Sequence, residues 1–267
     1  MTPNKYDVYF EKLETMHGIK LTPGQRNWYQ KKAEVLQEDM LKEYPSTPEE
    51  AFEVNTSGLY YASYISAARN THRIINLPYD PTLKVHTAWD LGFSDANSII
   101  FFTISGKEIH IIDYLEGSGI SMTDYIKKVK QKDYIYGTHL APHDIRIHEY
   151  STGVARIDTA NKLGISFVIV PDIPVLDGID AVRNIFPRLY FNTNDAVKTL
   201  VNRIETYTQK WDATLGVWSG RPVHDVSSHA GDCLRYLAVG LSLCLDDSQS
   251  ISQEMADALW KQHGRKI

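Results

Sequence analysis

The chain has 267 residues, 43% hydrophobic and 23% charged, with a formal net charge of −5. That balance describes an ordinary globular protein with material for a core, and it argues against a strong stand-alone binder of nucleic acid. No apolar run approaches the roughly 20 residues that span a bilayer, and the segment Met1 to Asp7 has no signal-peptide core.

Residues 1–78 read as a helical segment followed by a linker. Thr22 to Glu43 is rich in Gln, Lys, Glu and Leu and is expected to be helical until Tyr44-Pro45, where proline disfavours helix in the residue before it. A second helix is expected after Thr47, with Thr47 as N-cap and Pro48 in the first turn. The tyrosine-rich run Leu59 to Tyr64 leads to a linker around Asn76-Leu77-Pro78.

From residue 79 to 245 the pattern predicts a second domain. Val85 to Asp90, Ser98 to Ile104 and Glu108 to Tyr114 are apolar, β-branched runs separated by turns, which predicts an antiparallel three-strand meander. Ser121 caps a helix with Asp124 three residues on, and a strand follows from Tyr134 to Pro142. Helices are expected over Thr152–Leu163, Asp177–Phe186, Asn194–Tyr207 and Asp225–Leu243, with a strand at Ile165–Val170. This order predicts an α/β fold with a mixed sheet covered by helices. Residues 246–267 read as a peripheral helical tail. Cys233 and Cys244 lie in one apolar helical stretch, lack the paired spacing of a zinc site, and read as buried free thiols.

Three carboxylates stand at places where a fold could aim them into one site. Asp90 ends an apolar strand before Leu91-Gly92, and Asp144 follows a strand in Pro142-His143-Asp144. Asp232 lies three residues after His229 on a helix capped by Asp225, with Arg235 and Tyr236 one turn further on. Taken singly, Asp-x-Gly is more often a turn, His143 is as often a surface histidine, and Asp232 could simply pair with Arg235. Carboxylates on separate elements meet only through the fold, and hard oxygen donors of this kind suit Mg²⁺ or Mn²⁺. A pair of such ions is the usual apparatus for phosphodiester hydrolysis.

Taken together, these pieces resemble the C-terminal nuclease portion of the large terminase subunit of tailed bacteriophages. The resemblance rests on Trp89-Asp90-Leu91-Gly92, Pro142-His143-Asp144, Asp177-Gly178-Ile179-Asp180-Ala181-Val182-Arg183 and the run His224 to Tyr236, in that order. Upstream, Glu43 to Phe52 looks like the stretch with which that family's motor domain ends.

The resemblance implies an RNase H-like fold and a DNA-packaging endonuclease that cuts double-stranded concatemeric DNA in the bacterial host cytoplasm. It implies two Mg²⁺ or Mn²⁺ ions held by Asp90, Asp144 and Asp232, with His229 beside the third carboxylate. A fourth acid is expected from Asp113 or Glu116. The implied partners are portal protein, the small terminase subunit and a separate or missing ATPase domain. The sequence contains no phosphate-loop motif, and residues 1–78 would then be the end of the motor domain plus linker. Lys127, Lys128, Lys130, Arg146, Arg156, Arg183 and Arg188 are candidates for holding the DNA backbone, although a solvated helix face is the better reading of the lysine run. The alternatives are a RuvC-like junction resolvase and a non-catalytic docking module for portal or terminase.

Overall fold

The computed structural model describes residues 5–36, 40–48, 50, 56–91, 97–146, 155–212 and 214–245. The chain divides into two compact units at Ser57/Gly58. The expected tail over 246–267 lies outside the described residues.

The first unit holds α1 (Lys5–His17), α2 (Pro23–Leu36) and the short α3 (Met40–Glu43). Phe10, Leu13, Tyr29, Ala33 and Met40 form its core. The expected Thr47 cap is present, with the Glu50 N–H donating to Thr47 Oγ1 at 3.1 Å, but most of the helix expected after it lies outside the described residues.

In the second unit, a seven-stranded sheet runs in the order β1-β7-β4-β3-β2-β5-β6. Its centre is the expected meander: β2 (Val85–Asp90), β3 (Asn97–Ser105) and β4 (Glu108–Gly117) pair antiparallel. Beyond the meander, β5 (Tyr136–Ala141) pairs parallel with β2, and β6 (Phe167–Ile169) pairs parallel with β5. On the other side β7 (Leu189–Asn192) pairs parallel with β4, and β1 (Ile74–Ile75) pairs parallel with β7. Almost every residue of β3 is buried, as a strand covered on both faces requires.

Helices cover both faces. One face packs α4 (Ala62–Asn70), α7 (Val175–Ile185), α8 (Asp195–Glu205) and α9 (Val226–Leu245) over a core that includes Ile100, Phe102, Ile111, Phe186, Phe191 and Leu237. The other packs α5 (Met122–Gln131) and α6 (Arg156–Lys162) over Val85, Trp89, Ile99, Phe101 and Ile112. Both free cysteines are buried, as the sequence predicts. The fold is thus an α/β arrangement, an antiparallel meander extended by parallel strands. Among the described residues, no helix is long and apolar enough to cross a membrane.

The structure departs from the expected organisation at one boundary. Residues 58–78 pack with the sheet rather than with the N-terminal helices. Tyr60, Tyr61, Ile65 and Ala68 lie in the sheet's core, and Tyr61 faces Phe186 and Tyr207. The sequence pattern groups the tyrosine run with the N-terminal segment because the surface it packs on, around Phe186 and Tyr207, comes from residues more than 100 positions downstream. The hairpin of β8 (Gln209–Asp212) and β9 (Val217–Pro222), and the short strands β1 and β7, also have no expected counterpart.

Candidate metal centre

Asp90 and Asp144 follow adjacent parallel strands. Ala88 of β2 pairs with Leu140 of β5, so Asp90 ends one strand and Asp144 lies just past the end of the other, in the 3-10 turn His143–Arg146. The carboxyl ends of parallel strands are where open α/β sheets present functional groups. Register brings Ser98 and Glu116 alongside, because Asp90 pairs with Ser98 and Ser98 with Glu116. Cross-strand partners share a face of the sheet, so Asp90, Ser98 and Glu116 look out on the same side.

Helix α9 covers that side. Asp225 caps it, accepting from the N–H groups of Ser227 at 2.8 Å and Ser228 at 3.1 Å. The helix is seated by Cys233, whose Sγ donates to the Ala88 carbonyl at 2.9 Å. His229, Asp232 and Tyr236 then fall three and four residues apart on the face turned to β2. His229 Nδ1 meets Asp90 Oδ2 at 3.0 Å, both side chains being nearly buried.

The electrostatics tie the three carboxylates together. Burial pushes the Asp90 carboxyl up to about 6; the His229 hydrogen bond opposes this, and the charges of Asp232 and Asp144 add to it. Asp144 is also raised, by burial, against the nearby charges of His143 and Arg156. Burial raises the Tyr236 phenol, and the charges of Asp90, Asp232 and Asp144 all push it further. All three acids therefore act electrostatically on Tyr236. The sequence signal for it was only its helical spacing from Asp232.

This proximity falls short of a formed coordination shell. Among the described residues, no three His, Cys, Asp or Glu side chains are placed to hold one metal ion as they stand. Asp90 is engaged by His229, and Asp232 accepts at Oδ1 from Arg235 Nε at 3.2 Å and Nη2 at 3.0 Å. The fit to a hard cation rests on Asp144, whose Oδ1 is buried with no hydrogen-bond partner. A buried carboxylate oxygen left unmatched is costly, and a divalent cation would satisfy it. Carboxylate oxygens on three elements are the donor chemistry of Mg²⁺ and Mn²⁺ rather than of zinc.

The two candidates for a fourth acid separate cleanly. Asp113 faces the opposite side of the sheet, where it is bonded to Lys132 and accepts from Tyr134 at 3.1 Å. The two are three residues apart on β4, so the regular alternation of the strand turns them to opposite faces. Glu116 lies on the Asp90 side; burial raises its carboxyl, but the hydrogen bonds from Arg203 and Tyr114 outweigh this and leave it lowered. Arg203 Nη2 donates to it at 2.9 Å.

Of the basic residues offered as DNA contacts, Arg156 reaches this end of the sheet. Its Nη1 donates to the Leu91 carbonyl at 2.9 Å, beside Asp90, and its charge acts on Asp144. Lys127 pairs with Asp124 on the outer face of α5, and Arg183 with Asp180 on α7. Arg188 is bonded to the Lys107 carbonyl. Lys128, Lys130 and Arg146 are exposed.

No protein-family model matches this sequence, and no curated protein matches it. Solved structures do. A large terminase from a thermophilic bacteriophage matches at 17% identity over 65% of this chain and 43% of that one, with a TM-score of 0.50. The same protein in complex with ADP matches at 17% identity over 67% and 45%, with a TM-score of 0.50. The P22 large terminase nuclease domain matches at 16% identity over 67% of this chain and 91% of that one, with a TM-score of 0.49. The chain thus spans less than half the length of the thermophilic phage's terminase. The similarity is one of fold: the mixed sheet that carries Asp90, Asp144 and α9 has the fold of phage large terminases.

Proposed function

We propose that this chain is a metal-dependent endodeoxyribonuclease of a viral DNA-packaging terminase. The reading rests on Asp90, Asp144 and Asp232, which arise on three separate elements and share one electrostatic neighbourhood around Tyr236. Such crowding of acids has no stabilising purpose in an apoprotein, whereas at a cation site it is required.

Asp90, Asp144 and Asp232 would hold two Mg²⁺ or Mn²⁺ ions, with Glu116 on the same face as the fourth acid. Bound there, the ions would supply an activated water and neutralise charge on the leaving 3′ oxygen. The protein's own part is orientation. His229 hydrogen-bonds Asp90 Oδ2 and fixes the direction of that carboxylate. Arg156, anchored on the Leu91 carbonyl, presents positive charge where a DNA phosphate would approach the acids. Contacts of this kind hold backbone without reading bases, so cutting is expected to show little sequence preference.

The substrate is double-stranded concatemeric DNA, and the partners are portal protein, the small terminase subunit and an ATPase domain. The N-terminal helices correspond, on this reading, to the end of such a motor. The net charge of −5 fits a nuclease brought to DNA by those partners rather than by its own field.

The test is plasmid cleavage with Mn²⁺. Wild-type protein is expected to nick and linearise supercoiled DNA, and Asp90→Asn and Asp232→Asn to lose at least about 100-fold, the scale of removing a principal electrostatic group from a transition state. Undiminished cutting by either variant would remove the assigned role. Preference for four-way junctions over linear duplex would favour the resolvase reading instead.

A further inference from the structure

The motif Asp177-Gly178 has no part in the mechanism above, and Gly178 is a costly residue where it stands. It lies inside α7 with ordinary helical backbone, where glycine is roughly 0.5–1 kcal/mol worse than alanine. Its left-handed freedom is unused, so the reason for it must be space. A Cβ at Gly178 would fall 2.3 Å from Cδ and 2.4 Å from Cγ of Arg235. The stem of Arg235 therefore crosses α7 at the one place where the helix has no side chain.

What that crossing achieves is visible at the other end of the side chain. The guanidinium lies 4.8 Å from the Tyr236 ring centroid, and both Nε and Nη2 donate to the same oxygen, Asp232 Oδ1. No described residue hydrogen-bonds Oδ2. Arg235 is the more buried partner, its side chain 11% exposed against 28% for Asp232. A planar guanidinium wedged between a helix and a ring has little rotational freedom, and it cannot give up its proton.

We propose that Arg235, admitted by Gly178, is a positioning residue that fixes the Asp232 carboxylate with Oδ1 held by the protein and Oδ2 left for a divalent cation. This rests on the nuclease reading above. It assigns a purpose to two residues outside the proposed ligand set, and it explains why a glycine in α7 and an arginine in α9 belong together although 57 positions apart.

Two measurements on the full chain test it. The first is thermal unfolding of Gly178→Ala, Arg235→Ala and the double variant. Gly178→Ala is expected to lower Tm by several degrees in the wild-type background and not at all in the Arg235→Ala background, where the clash is gone. Additive losses would overturn the fit between the two residues.

The second is calorimetric titration with Mn²⁺. Arg235→Ala is expected to weaken Mn²⁺ binding by about 10- to 100-fold, the usual effect of removing a group that orients a ligand. Arg235→Lys should recover only part, because it restores charge but not the planar fork. Unchanged or tighter Mn²⁺ binding by Arg235→Ala would overturn the positioning role while leaving the nuclease reading intact. Wild-type protein that takes up no Mn²⁺ would overturn that reading, and this inference with it.

Discussion

Asp90 combines burial, a histidine partner and two acidic neighbours in a single side chain. Its carboxyl, pushed up to about 6 from an ordinary 3.8, makes it the titrating group most exposed to test. Because the fold raises this value, the native protein keeps the Asp90 proton over a range in which the unfolded chain has released it. The stabilisation this gives is complete below about 3.8 and is lost as pH rises through about 6. Asparagine stays neutral throughout. In the absence of divalent ions, Asp90→Asn is therefore expected to be more stable than wild type at pH 7, by about 2–3 kcal/mol. The gap should close below pH 4, as read by thermal unfolding across that range, and a pH-independent gap would contradict the crowded setting. Glu116 shows the limit of reading single residues. Its place beside Asp90 follows from strand register, whereas its position before Gly117 reads locally as a loop.

At the scale of elements, α9 carries more of the site than any other segment. It comes close to its neighbours at two glycines, Gly231 against Tyr207 and Gly240 against the sheet. A Cβ at Gly240 would lie 2.7 Å from Leu140 Cδ1 and 2.8 Å from Val170 Cγ1, so the helix rests directly on the β5 side of the sheet. Gly240→Ala is expected to cost about 1–3 kcal/mol in denaturant unfolding, since overpacking of a filled core outweighs the gain in helix propensity. No loss would mean that α9 can lift without consequence, and its hold on Asp232 would then need another explanation. Elements with strong local signals were legible in sequence: the β-branched runs of the meander, and the caps Ser121 and Asp225. Those without such signals were not. Leu189–Asn192 is a four-residue strand directly after a turn containing Pro187, and the β8–β9 hairpin is largely polar, with Trp211 and Trp218 half exposed.

For the molecule as a whole, the boundary at Ser57/Gly58 has a direct consequence. Tyr60, Tyr61 and Ile65 are all but fully buried against α7, α8 and α9, and β1 adds the outermost strand of the sheet. Each large apolar side chain contributes roughly 1.5–3 kcal/mol by burial. Their joint loss approaches the whole stability of a typical domain, about 5–15 kcal/mol. A fragment beginning at Gly58 is expected to unfold cooperatively, and one beginning at residue 79 to lack a cooperative transition by circular dichroism. Equal cooperativity in both would return residues 58–78 to the N-terminal segment in which the sequence pattern places them.

Local chemistry settled what could be read early: strand and helix periods, capping residues, the acidic residues at strand ends, and the absence of a phosphate loop. Each is a property of a few neighbouring residues, so it survives without knowledge of the fold. Register, burial and convergence are different in kind. Whether Glu116 stands beside Asp90 depends on cross-strand register, where Tyr60 packs depends on a surface built far downstream, and whether Gly178 matters depends on an arginine from another helix. Those are relations between distant segments, and only the packed tertiary structure decides them.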